Sequence, residues 1–164
     1  MSAPSIPGQP PVPAAKSPGA IPTSPTHKRP KGPKLENSSE LLFRQVIPQF
    51  YVKGELDEAA FRLTPADDGL LSVSLESKTT AKDSYELHTG MKGRKSVGVW
   101  AVSVKECNDV KLDAYADPTQ KPADTFDDPA HGCVDFQGNP KPDERLKRKQ
   151  LVAFAEKRGA VYLP

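Results

Sequence analysis

Three groups of residues carry side chains that can do chemistry. The run His131-Gly-Cys133-Val-Asp135 sets an imidazole, a thiol and a carboxylate at alternate positions. In an extended strand all three share one face. A cysteine beside an imidazolium is the arrangement that yields a thiolate nucleophile. Alternate side chains on one strand run side by side, however, and seldom bring their reactive atoms to hydrogen-bond distance. A plain strand with one wet and one buried side is therefore the competing reading. His88 and Cys107 would extend the group to four zinc-type donors, but the spacing matches no closed zinc pattern.

Arg44 is the second feature. It interrupts the apolar run Leu41–Ile47, and a guanidinium there is costly to bury unless it is paired. Two outcomes are open. Arg44 pairs with a core-facing acid such as Glu86, or it faces a cleft and binds an anion, because its planar fork suits phosphate. The third group is aromatic and basic. Trp100 reads as a core anchor, with a stacking platform as the alternative. Arg145-Leu-Lys147-Arg148-Lys149 reads as a solvated helix face, with a basic interaction stripe as the alternative. Met91-Lys92-Gly93-Arg94-Lys95 reads as an exposed basic loop. None of these is a strong catalytic motif.

The elements that must position these residues follow from periodicity. Leu41–Ile47 is a strand closed by Pro48. Asp57 caps a short helix through Phe61. Leu70–Leu75 is a strand with Leu71, Val73 and Leu75 on one face and Ser72 and Ser74 on the other. Thr79 or Thr80 caps a helix to about His88, stopped by Gly90. Val97–Val104 is apolar on both sides and reads as a central strand. Leu112–Tyr115 is a short edge strand. Residues 117–130, rich in proline and aspartate, form a long loop of the kind that closes over binding sites. His131–Phe136 is a further strand. A helix from Pro142 to Arg158 has an acidic first turn and a basic last turn, Gly159 ends it, and Ala160–Tyr162 forms a last strand. Strands and helices alternate without a βαβ rhythm, so the fold class is α+β, a single small mixed-sheet domain.

Charge and proline are unevenly placed. Ten of the 18 prolines lie in residues 1–35, together with Lys16, Lys28, Arg29, Lys31 and Lys34 and no acid. The remaining 18 basic and 21 acidic residues leave the rest at −3. Residues 1–38 are thus expected to be a disordered, basic, proline-rich tail, and 39–164 the folded domain. Pro7, Pro10 and Pro13 make two PxxP matches, which a docking peptide or a simple linker would both show. The mildly acidic domain argues against nucleic acid as a partner, and four clustered charges at Lys28–Lys34 give only weak phosphate binding. Two cysteines are too few for a disulfide framework. No apolar run nears the roughly 20 residues of a membrane span, and the N-terminus lacks a secretory h-region. The expected location is the cytoplasm.

The order of elements resembles a known layout. Leu42-Phe43-Arg44 opens the domain. The strand Gly69-Leu-Leu-Ser-Val-Ser-Leu75 leads through Ser77-Lys-Thr-Thr80 into a helix holding Tyr85-Glu86, and a strand ending Val102-Ser103-Val104 precedes a turn and Leu112. This is similar to the RES-type NAD-consuming toxins and to small ADP-ribosyltransferase-like domains, whose first strand ends in an Arg or His that meets the NAD phosphates. The resemblance implies that Arg44 holds the pyrophosphate, Ser72 or Ser74 lines the nicotinamide pocket and Glu86 polarises the ribose, with NAD as cofactor. The chain has no Glu-x-Glu pair near its end. Two functions follow as expectations. One is a non-catalytic interaction or accessory module of a bacterial operon, of toxin–antitoxin or defence type, with a protein partner tethered by the tail. The other is an NAD-binding or NAD-cleaving enzyme.

Overall fold

Alternation of apolar and polar residues builds the first strands. The structure, a computed structural model, describes residues 27–164. Leu42 and Val46 turn to one side of strand β1 (Leu41–Val46) and Phe43 to the other. Pro48, without an N–H to donate, lies just past its end. Tyr51–Val52 (β2) and Glu55–Leu56 (β3) form a small hairpin. Its two turn residues, Lys53 and Gly54, both have positive φ, at 54° and 82°, which suits the twist of a tight hairpin. The Asp57 carboxylate accepts the Ala59 N–H at 2.8 Å and caps a single 3-10 turn, Glu58–Phe61. Strand β4 (Leu70–Leu75) turns Leu71, Val73 and Leu75 into the core.

Thr80 caps α1 (Ala81–Glu86) by accepting the Asp83 N–H at 3.0 Å. The helix does not run regularly to a stop at Gly90. It widens into a π turn over Leu87–Met91, with Gly90 inside that turn. Strand β5 covers Gly98–Ser103, and the valine run ends one residue before the expected boundary. Ser103 and Glu106 form a reciprocal capping box (Glu106 N–H to Ser103 Oγ, 3.1 Å; Ser103 N–H to Glu106 Oε2, 2.7 Å). The box starts helix α2 (Val104–Asp109) where a turn was expected. Asp113–Ala116 is β6 and His131–Asp135 is β7. Helix α3 (Lys141–Arg158) ends at Gly159, whose φ of 82° suits a residue without Cβ.

These pieces make one α+β domain. The main sheet has the order β5-β1-β4-β7-β6, and every ladder in it is antiparallel. One face carries the main core of Leu42, Val46, Leu71, Trp100, Val102 and Val134 beneath Leu151, Val152 and Ala155 of α3. The other face packs Phe43, Val99 and Ala101 against Ala81 and Tyr85 at α1 and Tyr162 from the chain end. Strand β5 is therefore an edge strand, although it was expected to be central. It is buried throughout because both its faces are covered and its free edge is closed by the C-terminal segment: the Val99 N–H donates to Tyr162 O at 2.9 Å, and the Val161 N–H to Val99 O at 2.8 Å. Gly132 allows β7 its close fit, since a Cβ there would lie 2.5 Å from Leu75 Cδ2 and 2.9 Å from Tyr115 O.

The opposite edge is closed from the N-terminal side, and the expected boundary at 39 moves. Gly32 N–H donates to Ala116 O at 3.0 Å, Ala116 N–H to Pro33 O at 3.0 Å and Leu35 N–H to Ala114 O at 2.8 Å. Residues 32–35 thus run along β6 as an added strand, which removes an exposed template for edge pairing. Ion pairs of Lys31 with Asp124 and Lys34 with Asp113, and a hydrogen bond between His27 Nδ1 and Asp68 Oδ1, hold the strap. The composition argument for disorder fails here because the basic residues find acids and the backbone finds a sheet edge. The PxxP matches at Pro7, Pro10 and Pro13 lie outside the described residues. Among the described residues, no helix is long and apolar enough to cross a membrane.

Candidate functional site

The seam between β1 and β4 is short, and a cleft forms beside it. Strand β1 pairs with β5 along its whole length, from Leu41↔Ser103 to Val46↔Gly98. Against β4 it pairs only at Leu42↔Leu75 and Phe43↔Ser74. Beyond that point the strands part, and a cleft of about 790 Å³ opens. Its floor is Phe43, Arg44, Gln45, Ser72 and Ser74. One wall comes from the π turn and the loop after it, with His88, Lys92, Arg94 and Lys95. The other wall comes from the long loop and β7, with Asp124, Phe126, Asp128 and His131.

Arg44 stands in the gap. Its Nη1 donates to Ser72 O at 2.9 Å and its Nε to Ala60 O at 3.3 Å. Among the described residues it makes no ion pair. The expectation that Glu86 is its partner is corrected: Glu86 sits on the outer side of α1, exposed, 3.7 Å from Lys82. Burial pushes the Arg44 pKa down, and Asp67 partly offsets this. The guanidinium thus lies in the cleft without a directly contacting carboxylate among the described residues.

Two of the three acids that line the cleft are paired to lysines, and the third is hydrogen-bonded. Lys92 Nζ lies 3.0 Å from Asp128 Oδ2, both well buried, and 5.9 Å from the centroid of the Phe126 ring. Lys31 of the strap pairs with Asp124. Asp67 accepts the Thr64 hydroxyl at 2.8 Å in a capping box. Arg44, Arg94 and Lys95 have no carboxylate within ion-pair distance among the described residues. The cleft therefore presents surplus positive charge.

Two histidines line the same space in different states. His88 Nε2 is buried and without a hydrogen-bond partner. Burial is the main cause that pushes its pKa down to about 4; a hydrogen bond to the backbone of Lys95 opposes this, and Arg94, Lys92 and Arg44 add to it. Burial first, and the neighbouring cations after it, keep the ring neutral at pH 7. His131 is fully engaged. Its Nδ1 lies 2.6 Å from Asp117 O and 3.4 Å from Asp117 Oδ2, and its Nε2 lies 3.3 Å from Ser72 Oγ. A carbonyl can only accept, so Nδ1 carries a proton, and a ring without a second proton accepts from the Ser72 hydroxyl at Nε2.

The residues singled out in the sequence divide accordingly. Arg44, Ser72 and Ser74 meet in the cleft, and Glu86 stays outside it. Ser74 belongs to a polar chain: Ser84 Oγ donates to Ser74 Oγ at 2.9 Å, and Gln45 Nε2 to Ser84 Oγ at 3.0 Å. Cys133 is buried, and its thiol is pushed up to about 12, first by burial and then by Asp117 and Asp135. Cys107 is likewise raised to about 12, by burial and Glu106. Neither is a thiolate nucleophile, and His131 turns to Ser72 rather than to Cys133. No group of three potential metal ligands occurs among the described residues, so His88, Cys107, His131 and Cys133 do not converge. Trp100 is buried in the core, 5.1 Å from Tyr51 between ring centroids.

The basic loop Met91–Lys95 is exposed, as its composition predicts, except at Lys92, and it also lines the cleft through Lys92, Arg94 and Lys95. Their use as a cleft wall had one signal, three positive charges in four residues between a helix and a buried strand. Comparison of the chain with family models, curated proteins and solved structures found no match.

Proposed function

We propose that the domain is a binding module for a small phosphate-bearing ligand, held in the cleft between β1 and β4. The observation that carries this reading is that Arg44, Arg94 and Lys95 have no ion-pair partner among the described residues, in a cleft where Asp124 and Asp128 are paired to lysines and Asp67 alone of the lining acids is not. Guanidinium groups match phosphate oxygens with paired N–H donors. The volume lies within the range of small-molecule sites.

A dinucleotide such as NAD is the second reading. It is supported by Arg44, Ser72 and Ser74 lining one cleft. Glu86 lies outside, so this reading is of binding and not of ribose activation by that residue. Titration with inorganic phosphate, ADP-ribose and NAD, followed by calorimetry and by amide shifts of Arg44, Ser72 and Lys92, tests both. Binding of ADP-ribose or phosphate that Arg44→Ala removes supports the module. Absence of binding by all three at millimolar concentration overturns it.

A further inference from the structure

We infer that Ser72, His131 and Asp117 form a nucleophilic relay that hydrolyses a carboxylic ester bound through an anionic group in this cleft. The inference rests on the anion-binding reading for its substrate class and on separate geometry for its chemistry. A hydroxyl becomes a useful nucleophile when a neutral imidazole accepts its proton and a third group fixes that imidazole. Each part is present. Ser72 Oγ is 3.3 Å from His131 Nε2. The other ring nitrogen is held by Asp117, at 2.6 Å through the carbonyl and 3.4 Å through the carboxylate. The side chains of His131 and Asp117 are only 17% and 16% exposed, so the ring is held by its surroundings. Ser72 and His131 both line the cleft.

The three residues lie far apart in the chain, and the sheet brings them together. Strand β4 pairs with β7 at Ser72↔Cys133 and Ser74↔His131. Ser72 and His131 are thus diagonal neighbours on one face, close enough for an imidazole to reach a hydroxyl. The contact with Asp117 extends past the end of β6, where the Asp117 N–H donates to His131 O at 2.9 Å. The constellation is recognised by its geometry and roles, which recur on unrelated folds.

The step balances as follows. Ser72 Oγ bonds to the ester carbonyl carbon while its proton passes to His131 Nε2. The carbonyl π pair moves onto oxygen as the tetrahedral adduct forms. Collapse breaks the bond to the leaving alkoxide, which takes the proton from His131. Water then attacks the acyl-serine and gives a proton to His131, and as the acyl C–O bond breaks His131 returns that proton to Ser72 Oγ, which releases the carboxylic acid and free Ser72. Arg94 and Lys95 hold the substrate's anionic group. Asp117 is a positioning residue, since it meets the imidazole and the Lys31 N–H and not the reacting atoms.

The test treats the full chain with a fluorophosphonate and locates the adduct by peptide mass spectrometry. It then measures hydrolysis of a nitrophenyl ester whose acyl chain ends in a carboxylate. The expected result is an adduct on Ser72 and a loss of more than about a hundredfold in kcat/KM for Ser72→Ala and His131→Gln at unchanged melting temperature. Asp117→Asn should shift the pH–rate profile. No adduct on the wild type, an adduct elsewhere, or hydrolysis unchanged in Ser72→Ala overturns the relay. Phosphate binding by the same wild-type sample is read separately. Binding without labelling sinks the relay and leaves the module, and labelling without binding does the reverse.

Discussion

Arg44 Nη1 donates to the carbonyl of Ser72 at 2.9 Å across the point where β1 and β4 cease to pair. A side chain thus takes a position that the backbone ladder leaves. Arg44→Ala should cost about 1–2 kcal/mol, because the carbonyls of Ser72 and Ala60 each lose a charged donor. Glu86→Gln, on an exposed residue, should stay within about 0.5 kcal/mol. The double mutant should be additive within about 0.5 kcal/mol, since the two do not touch. Denaturant melts of the three variants check this. Strong coupling between them would contradict the placement of Glu86 outside the cleft.

His88 should make stability depend on pH. Its pKa is about 4 in the folded chain against an ordinary 6.5, so the unfolded chain binds more protons between those values. Stability therefore rises from pH 4 to pH 6.5 through this residue and is flat above. The ring is partly open to solvent, so the effect should be on the order of 1–2 kcal/mol rather than the full value of the shift. His88→Gln should flatten that part of a urea-midpoint profile. An unchanged slope would show that the cations around His88 do not depress it.

Both thiols should be inert in the folded protein. With pKa values raised to about 12 by burial, Cys107 and Cys133 hold almost no thiolate at pH 8. Iodoacetamide should modify neither at native conditions within an hour and both in guanidinium. Rapid native labelling of Cys133 would return the His131–Cys133 pair to consideration.

Trp100 anchors the core between β1 and α3, so Trp100→Ala should cost about 3–5 kcal/mol. It is the only tryptophan, and its native emission should be blue-shifted and move red on unfolding. Retained stability with lost ligand binding would make it a platform instead.

How much of this was legible depends on which contacts are local. Alternation in Leu41–Val46 and Leu70–Leu75 was enough to place Arg44 apart from Phe43, and Ser72 with Ser74, since a strand's period depends only on its own residues. The Ser103–Glu106 box was equally local, but the valine run across Val97–Val104 concealed it. The Ser72–His131 contact was not legible. It depends on a register between strands 59 residues apart, and neither strand encodes the diagonal. Glu86 was misplaced because α1 exposes that side. The cleft cations depend on the π turn at Leu87–Met91, which swings His88 and Lys92 to the sheet and which no residue pattern announced. The strap was misread for a related reason: composition measures what a segment can bury alone, while residues 32–35 are held by an edge that lies 80 residues further on.

Lys31 ties that strap to the cleft. It pairs with Asp124, which lines the site, and its backbone N–H donates to Asp117 Oδ1 at 2.9 Å. The Asp124 carboxyl is held below its ordinary range, first by Lys31 and then by the N–H of Gln120, so it is ionised at pH 7 and its charge is balanced from the strap. Removing Lys31 leaves that negative charge beside the anion site. Lys31→Ala should raise the Kd for inorganic phosphate about three- to tenfold at low salt, with the difference shrinking as ionic strength rises. Lys31→Ala with Asp124→Asn should restore the affinity to within about twofold. Lys34→Ala removes a strap contact to Asp113, away from the cleft, and serves as the control for loosened docking. Equal losses in Lys31→Ala and Lys34→Ala, or no recovery in the double mutant, would show that the strap does not act through the charge of Asp124.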